Sequence, residues 1–223
     1  MSYALTIIEL LNHGSDSASA LSSPGRKPLS YARLRGQVEK TAGALHALGV
    51  GRNDLVVIVL PNGPEMASAF ISIAASASTA PLNPSYSEDE FEFYLSNLQP
   101  QLLVVQQGMK TPALKVAERQ GIKLACLSFD SDEPAGLFEL NGSLAEASDD
   151  GFAEHNDIAL VLHTSGTTAR PKIVPLSHQN VCASAENISN SLTLSPADCC
   201  LNIMPLFHIH GLVAVVLSSL NAG

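Results

Sequence analysis

The chain has 223 residues, 46% of them hydrophobic, and a formal net charge of −9 from 12 basic and 21 acidic side chains. That is enough apolar material for one large domain or two small ones. The acidic balance, with no block of Lys and Arg, excludes a nucleic-acid-binding face and favours solubility. The four cysteines, Cys126, Cys182, Cys199 and Cys200, fit neither a zinc site nor a secreted disulfide frame, and the adjacent pair reads as ordinary reduced thiols. Residues 1–14 have no basic start and include Glu9, so no signal peptide is expected. The apolar run Leu212 to Leu217 is too short to span a bilayer. The expectation is a soluble intracellular protein.

In chain order, Thr6 to Leu11 reads as a short helix. Asn12 to Lys27 is rich in Ser, Ala and Gly and reads as a loop, with room for a short hairpin near Ala20 and Leu21. Ser30 is placed as an N-cap without a capping box, because Arg33 occupies the N3 position. From Tyr31 the residues Leu34, Val38, Thr41, Ala42, Leu45 and Leu48 recur at helical spacing, and Gly49 ends the run. Leu55 to Leu60 is unbroken apolar sequence, the pattern of a parallel strand covered on both faces. A helix of small and apolar residues follows over Glu65 to Ser76, then a strand over Thr79 to Leu82. Asn83-Pro84-Ser85-Tyr86 turns the chain. Ser87 and Glu90 form a capping box ahead of Phe91, Tyr94 and Leu95. Further on come a strand over Leu102 to Val105, a helix over Pro112 to Gln120 stopped by Gly121, and a strand over Ile122 to Leu127. Asp130 to Asn156 is acidic and reads as a surface connection with a short helix near Leu144.

Ile158 to Leu162 is the next buried strand, and the chain then reads Thr164-Ser165-Gly166-Thr167-Thr168-Ala169-Arg170-Pro171-Lys172. Gly166 lets the backbone turn sharply and approach a ligand. Hydroxyls, amides, Arg170 and Lys172 together suit a polyphosphate. A Walker A spacing is absent, as is a dinucleotide fingerprint. Ser177 caps a helix running to about Leu192. Leu201 to Met204 reads as a strand, Pro205 to Gly211 as a loop and Leu212 to Leu220 as a helix. Alternating strands and helices with short connections give an α/β class: an open, mostly parallel sheet with helices on both faces.

The segment Thr164 to Lys172 closely resembles the phosphate-binding signature of the adenylate-forming superfamily of acyl-CoA synthetases, luciferases and peptide-synthetase adenylation domains. Met204-Pro205-Leu206-Phe207-His208-Ile209-His210-Gly211 resembles the next motif of that family, at the expected distance. Leu162-His163-Thr164 and Phe207 to Leu212 look most like the oxalate–CoA ligase and peroxisomal-type branch. Two positions depart from the pattern: Ala169 replaces the usual Gly or Ser, and Ile173 stands where Gly is frequent.

The resemblance implies an AMP-forming carboxylate–CoA ligase that uses ATP, Mg2+ and CoA with a small-molecule carboxylate. It implies phosphate contacts from Thr164, Ser165, Gly166, Thr167, Thr168 and Lys172. Catalytic roles fall to Lys172 and to His208, the latter near the α-phosphate and the acyl carboxylate. His210 is a candidate for the carboxylate pocket. His163 and His178 read as structural, and His13, His46 and His155 as surface residues without partners. No resident metal site is expected, nor nucleic acid or a membrane span; a homo-oligomer is allowed. Residues 1–223 would be the N-terminal portion of an adenylation domain, with residues 1–150 a first α/β subdomain, residues 151–223 the start of a second, and the C-terminal domain lying elsewhere. The family's Tyr-Gly-x-Thr-Glu, Thr-Gly-Asp and terminal Lys motifs do not occur in these residues, so the chain by itself is expected not to adenylate. The alternative is a truncated paralogue that serves as a binding module. Location is expected in the cytoplasm, or in the peroxisome of a eukaryote.

Overall fold

The computed structural model describes residues 4–148, 151–164 and 172–223. A short helix α1 (Ile7–Leu10) and a small hairpin of β1 (Ser19–Leu21) and β2 (Leu29–Ser30) precede α2 (Tyr31–Ala47). Strands and helices then alternate through β3 (Leu55–Val59), α3 (Pro64–Ala74), β4 (Ser78–Pro81), α4 (Glu88–Leu98), β5 (Leu102–Gln106), α5 (Ala113–Gln120) and β6 (Lys123–Ser128). After β7 (Glu139–Gly142) come β8 (Ile158–Thr164), β9 (Lys172–Ser177), α6 (His178–Ser191), a π-helix (His210–Leu217) and α7 (Ser218–Ala222).

The seven main strands make one sheet in the order β7-β6-β5-β3-β4-β8-β9. Strands β6, β5, β3, β4 and β8 are parallel, and β7 and β9 close the two edges antiparallel. The expected α/β class therefore holds, with a mixed rim. A boundary at residue 150 would cut this sheet, because β8 and β9 extend the array built by β3 to β7.

The period-two alternation of a strand sends neighbouring residues to opposite faces. On one face Val56, Ile58, Leu102, Val104 and Leu160 pack with α2, α3, α6 and the π-helix. On the other, Val57, Val59, Leu103, Val105 and Val161 pack with α4 and α5 through Phe91, Leu95 and Val116. Each such side chain, fully withdrawn from water, contributes about 1.5–3 kcal/mol. Helix starts follow their caps. Ser87 and Glu90 form the expected reciprocal box on α4, and Ser177 with Asn180 forms another on α6. Ser30 accepts from the Arg33 N–H at 3.3 Å.

Polar ties join elements far apart in sequence. Thr79 Oγ1 donates to the Ala159 carbonyl at 2.6 Å, bracing β4 to β8. Arg52 donates to Asp157 at 2.8 Å and to Glu154 at 3.1 Å, locking the start of β3 to the start of β8. Burial opposes the charge on Asp157, yet Arg52, Asn53 and the Glu154 amide hold its carboxyl below the usual range. Arg26 pairs with Glu65 at the start of α3, both nearly buried, and donates to the carbonyls of Asp130, Glu133 and Pro134.

Four expectations are corrected. The acidic connection contains the strand β7, and residues near Leu144 are not helical. Lys172–Ser177 forms a strand, β9, a stretch to which no element was assigned from sequence. Residues 199–203 form neither helix nor strand, and Leu201 and Ile203 are each 81% exposed. A strand exists through its ladder, and among the described residues none runs beside this stretch. Residues 210–217, in part expected as α-helix, are wound as a π-helix. His13 is also not without a partner, since its Nδ1 lies 2.9 Å from the Asn221 carbonyl.

Candidate functional site

All five parallel strands end on the same edge of the sheet, where open α/β folds bind ligands. β8 pairs with β4 through Thr79 and Leu160 and runs four residues further, to Thr164. β9 returns antiparallel, with Thr164 and Lys172 as register partners. The backbone of Thr164 and the whole of Lys172 thus stand at the carboxyl end of β8. Lys172 is exposed, its ammonium open to solvent. Ser165, Gly166, Thr167 and Thr168, with Ala169, Arg170 and Pro171, lie outside the described residues. Ile173, one of the two departures from the signature, pairs with His163 across the hairpin and is 46% exposed.

His163 precedes Thr164 on β8. Its ring meets Tyr94 of α4 edge-on, with centroids 4.5 Å apart, and Tyr94 stacks on Tyr86 at 4.9 Å. Burial pushes the His163 imidazole below its ordinary value, and Nε2 has no hydrogen-bond partner in the described structure. The same burial, with a bond to Tyr94, pushes the Tyr86 phenol up. His163 is therefore the top of an aromatic column that fixes the end of β8 to α4, in keeping with its structural reading. The sequence carried Tyr86, Tyr94 and His163 but no signal that they meet.

The second motif is anchored on β3. Asn62, just past that strand, accepts the Leu206 N–H at 2.9 Å, and the His208 N–H donates to the Pro205 carbonyl at 3.2 Å. His208 is exposed, with its ring centroid 4.6 Å from that of Phe207. His210 is exposed at the first residue of the π-helix. Gly211 cannot be enlarged here: a Cβ would lie 2.4 Å from the Pro205 carbonyl oxygen. Asn62 and Gly211 thus position the histidine motif. Leu60-Pro61-Asn62 announces a turn after a buried strand, but nothing local in the sequence says which distant amide the Asn62 side chain takes.

His178 begins α6 and is fully buried, with Nδ1 accepting the Ile7 N–H at 3.2 Å. Burial lowers its pKa to about 4, so it is a neutral structural residue rather than a proton carrier. Two cavities flank Phe129, of about 570 and 220 Å³; one lies between α2 and the β6–β7 connection, the other among Asn62, Arg26 and Gln106. Neither is lined by Lys172, His208 or His210. The structure brings Lys172 and the histidine motif to the carboxyl end of the sheet, outside both cavities. Among the described residues no cluster of three or more His, Cys, Asp and Glu could hold a metal ion, and no helix is long and apolar enough to cross a membrane.

Residues 12–223 match the family described as AMP-binding enzyme. The chain belongs to this adenylate-forming family. An oxalate–CoA ligase of Arabidopsis thaliana is 38% identical over 209 residues, spanning 92% of this chain and 40% of the relative. An oxalate–CoA ligase of Saccharomyces cerevisiae is 37% identical, over 76% of this chain and 36% of its own length. A probable CoA ligase of Humulus lupulus is 40% identical over 89% of this chain and 39% of its own. The chain therefore spans about two fifths of the length of these relatives. The fold agrees with that of apo MatB from Rhodopseudomonas palustris, with a TM-score of 0.81 at 21% identity over 98% of this chain and 44% of the other. The ATP-bound form of the same enzyme superposes with a TM-score of 0.79.

Proposed function

We propose that residues 1–223 form the nucleotide-gripping, N-terminal portion of an ATP-dependent ligase that joins a small carboxylate to CoA. The reading rests on the pairing of Thr164 with Lys172 at the carboxyl end of β8, the two residues that flank the hydroxyl-rich stretch of the sequence. In this reading Thr164, Ser165, Gly166, Thr167 and Thr168 supply hydroxyls and amides to the phosphate oxygens, and Lys172 supplies positive charge. Magnesium would enter with the phosphates, as a hard cation that keeps much of its water and needs no cage of side chains.

The carboxylate oxygen attacks the α-phosphorus, the bond to the bridging oxygen breaks, and pyrophosphate leaves. The CoA thiol then attacks the acyl carbonyl carbon and AMP departs. His208 steadies the charge that builds on the phosphate during the first step, a role for a prealigned donor rather than a nucleophile. His210 stands close enough in sequence to contribute to the carboxylate pocket. The relatives named for oxalate support a small acidic acyl group. Residues 1–223 alone bind nucleotide without completing adenylation, because they hold no ribose-binding Asp motif and no terminal catalytic Lys. Cytoplasmic or peroxisomal residence accompanies this reading.

Exchange of labelled pyrophosphate into ATP with oxalate tests it. The 223-residue chain is expected to bind ATP by calorimetry and to show no exchange. Exchange by this chain overturns the claim of inactivity, and absence of ATP binding overturns the nucleotide reading. The exposed Leu201 and Ile203 favour a second reading, a binding module that self-associates through this apolar stretch. A stable dimer indifferent to ATP in light scattering would select it.

A further inference from the structure

The adjacent thiols Cys199 and Cys200 are both free and exposed. They differ in this from the other two cysteines. Cys182 is buried in the core, where burial and Glu9 push its thiol up to about 12, and Cys126 is half-buried on β6. Accessible thiols are the ones that oxidants reach first.

Their setting also matters. Residues 199–203 have no helix or strand to constrain them. On one side the segment is fixed by the Asp198 carboxylate, which accepts the Ser195 N–H and hydroxyl at 2.8 Å each. On the other it is fixed by Asn62 holding the Leu206 N–H at 2.9 Å. Between these two anchors the side chain of Asn202 accepts the Met204 N–H at 2.9 Å, and the stretch leads into the Pro205–Gly211 turn that carries His208.

We infer that Cys199 and Cys200 form a reversible vicinal disulfide, a redox modification site whose closure reshapes the lead into the His208 turn. Hydrogen peroxide is the oxidant. One thiolate attacks a peroxide oxygen, the O–O bond breaks, and a sulfenic acid and water form. The neighbouring thiol then attacks the sulfenic sulfur, the S–S bond forms and a second water leaves. Two thiols are oxidised by one peroxide, with both protons accounted for in the waters.

Geometry sets the character of this bond. Neighbouring Cα atoms across a trans peptide are about 3.8 Å apart, whereas disulfides usually span about 4.4–6.8 Å. The ring is therefore strained and readily reduced, the property of a regulatory rather than a structural disulfide. In an extended chain successive side chains also point to opposite sides. Bringing both sulfurs together excludes an extended backbone at 199–200 in the oxidised chain.

The test uses the full 223-residue chain, reduced, diluted, and treated with an equimolar amount of hydrogen peroxide before alkylation and peptide mapping. The expected product is a peptide holding both cysteines, short of two hydrogens, unalkylated, and restored by dithiothreitol. Cys199→Ser and Cys200→Ser, checked for folding by circular dichroism, should each stop at a sulfenic acid trapped by dimedone. A disulfide between chains, sulfinic acids at both positions, or oxidation confined to Cys126 and Cys182 overturns the site. Hydrogen exchange then reads the coupling: amides of residues 206–212 should change several-fold on oxidation. Unchanged exchange there, with the disulfide formed, overturns the link to the His208 turn.

Discussion

Lys172 and His178 show how differently two basic side chains are used. Lys172 is exposed at the start of β9, and in the proposed reading its contribution is charge alone. A hydrogen bond to a charged group is worth about 1.5–3 kcal/mol. Lys172→Ala should therefore weaken ATP binding by roughly 10- to 100-fold in calorimetry, at unchanged melting temperature. His178 is the reverse case, a core imidazole that must stay neutral. Its folded pKa of about 4 lies below the ordinary value of 6.5. Above pH ~7 both folded and unfolded chains hold it neutral and it has no effect. As pH falls from 6.5 towards 4 only the unfolded chain takes up the proton, and stability drops by about 1.4 kcal/mol per unit, roughly 3 kcal/mol in all. Below about 4 this loss stops. Urea midpoints at pH 7 and pH 5.3, where surface carboxylates are still ionised, should diverge in the parent chain and diverge less in His178→Gln, the remainder coming from the partly buried His163, whose imidazole burial also lowers. A histidine opening a capped helix looks exposed in sequence; only the packing of α1 against α6 reveals that its Nδ1 serves the Ile7 amide.

At the scale of elements, the Pro205–Gly211 turn is held by a close backbone approach that only glycine permits. Gly211→Ala puts a methyl against the Pro205 carbonyl, and overpacking of this kind costs about 1–3 kcal/mol. The expected result is a lower melting temperature, with hydrogen-exchange protection lost first at 206–212. The parallel strands were legible because unbroken runs such as Leu55 to Leu60 bury both faces. The capping boxes were legible because their residues lie three apart. β7 and β9 were not, for a shared reason. Both are edge strands, where one side of the ladder is open and apolar demand is weak. β7 is Glu-Leu-Asn-Gly, and β9 carries Pro175, which an edge tolerates because no further strand needs its missing N–H. Leu201 to Met204 is the opposite error: its composition suits a strand, but composition cannot supply a neighbour. The π-helix is equally hidden, since its apolar residues satisfy either winding.

Across the whole molecule, Arg26 reaches from the β1–β2 connection to α3 and to the β6–β7 connection, joining three regions about 40–110 residues apart in sequence. Removing one member of a nearly buried ion pair strands the other charge, at a cost of about 3–5 kcal/mol. Arg26→Met should lower the urea midpoint by that equivalent, and Arg26→Met with Glu65→Met should recover part of it. The family and its signature were readable because they are contiguous. The long-range ties were not, because neither Arg26 nor Asn62 has a local cue to its partner. The aromatic column has a practical consequence. The chain has no tryptophan and four tyrosines, and two of these, Tyr86 and Tyr94, stand in the stack that ends at His163. Half the tyrosines thus belong to a stack whose last ring, His163, directly precedes Thr164. ATP should alter intrinsic ultraviolet emission without any added dye, and Tyr94→Phe should blunt that signal while leaving calorimetric affinity intact, giving the molecule a built-in optical gauge of occupancy.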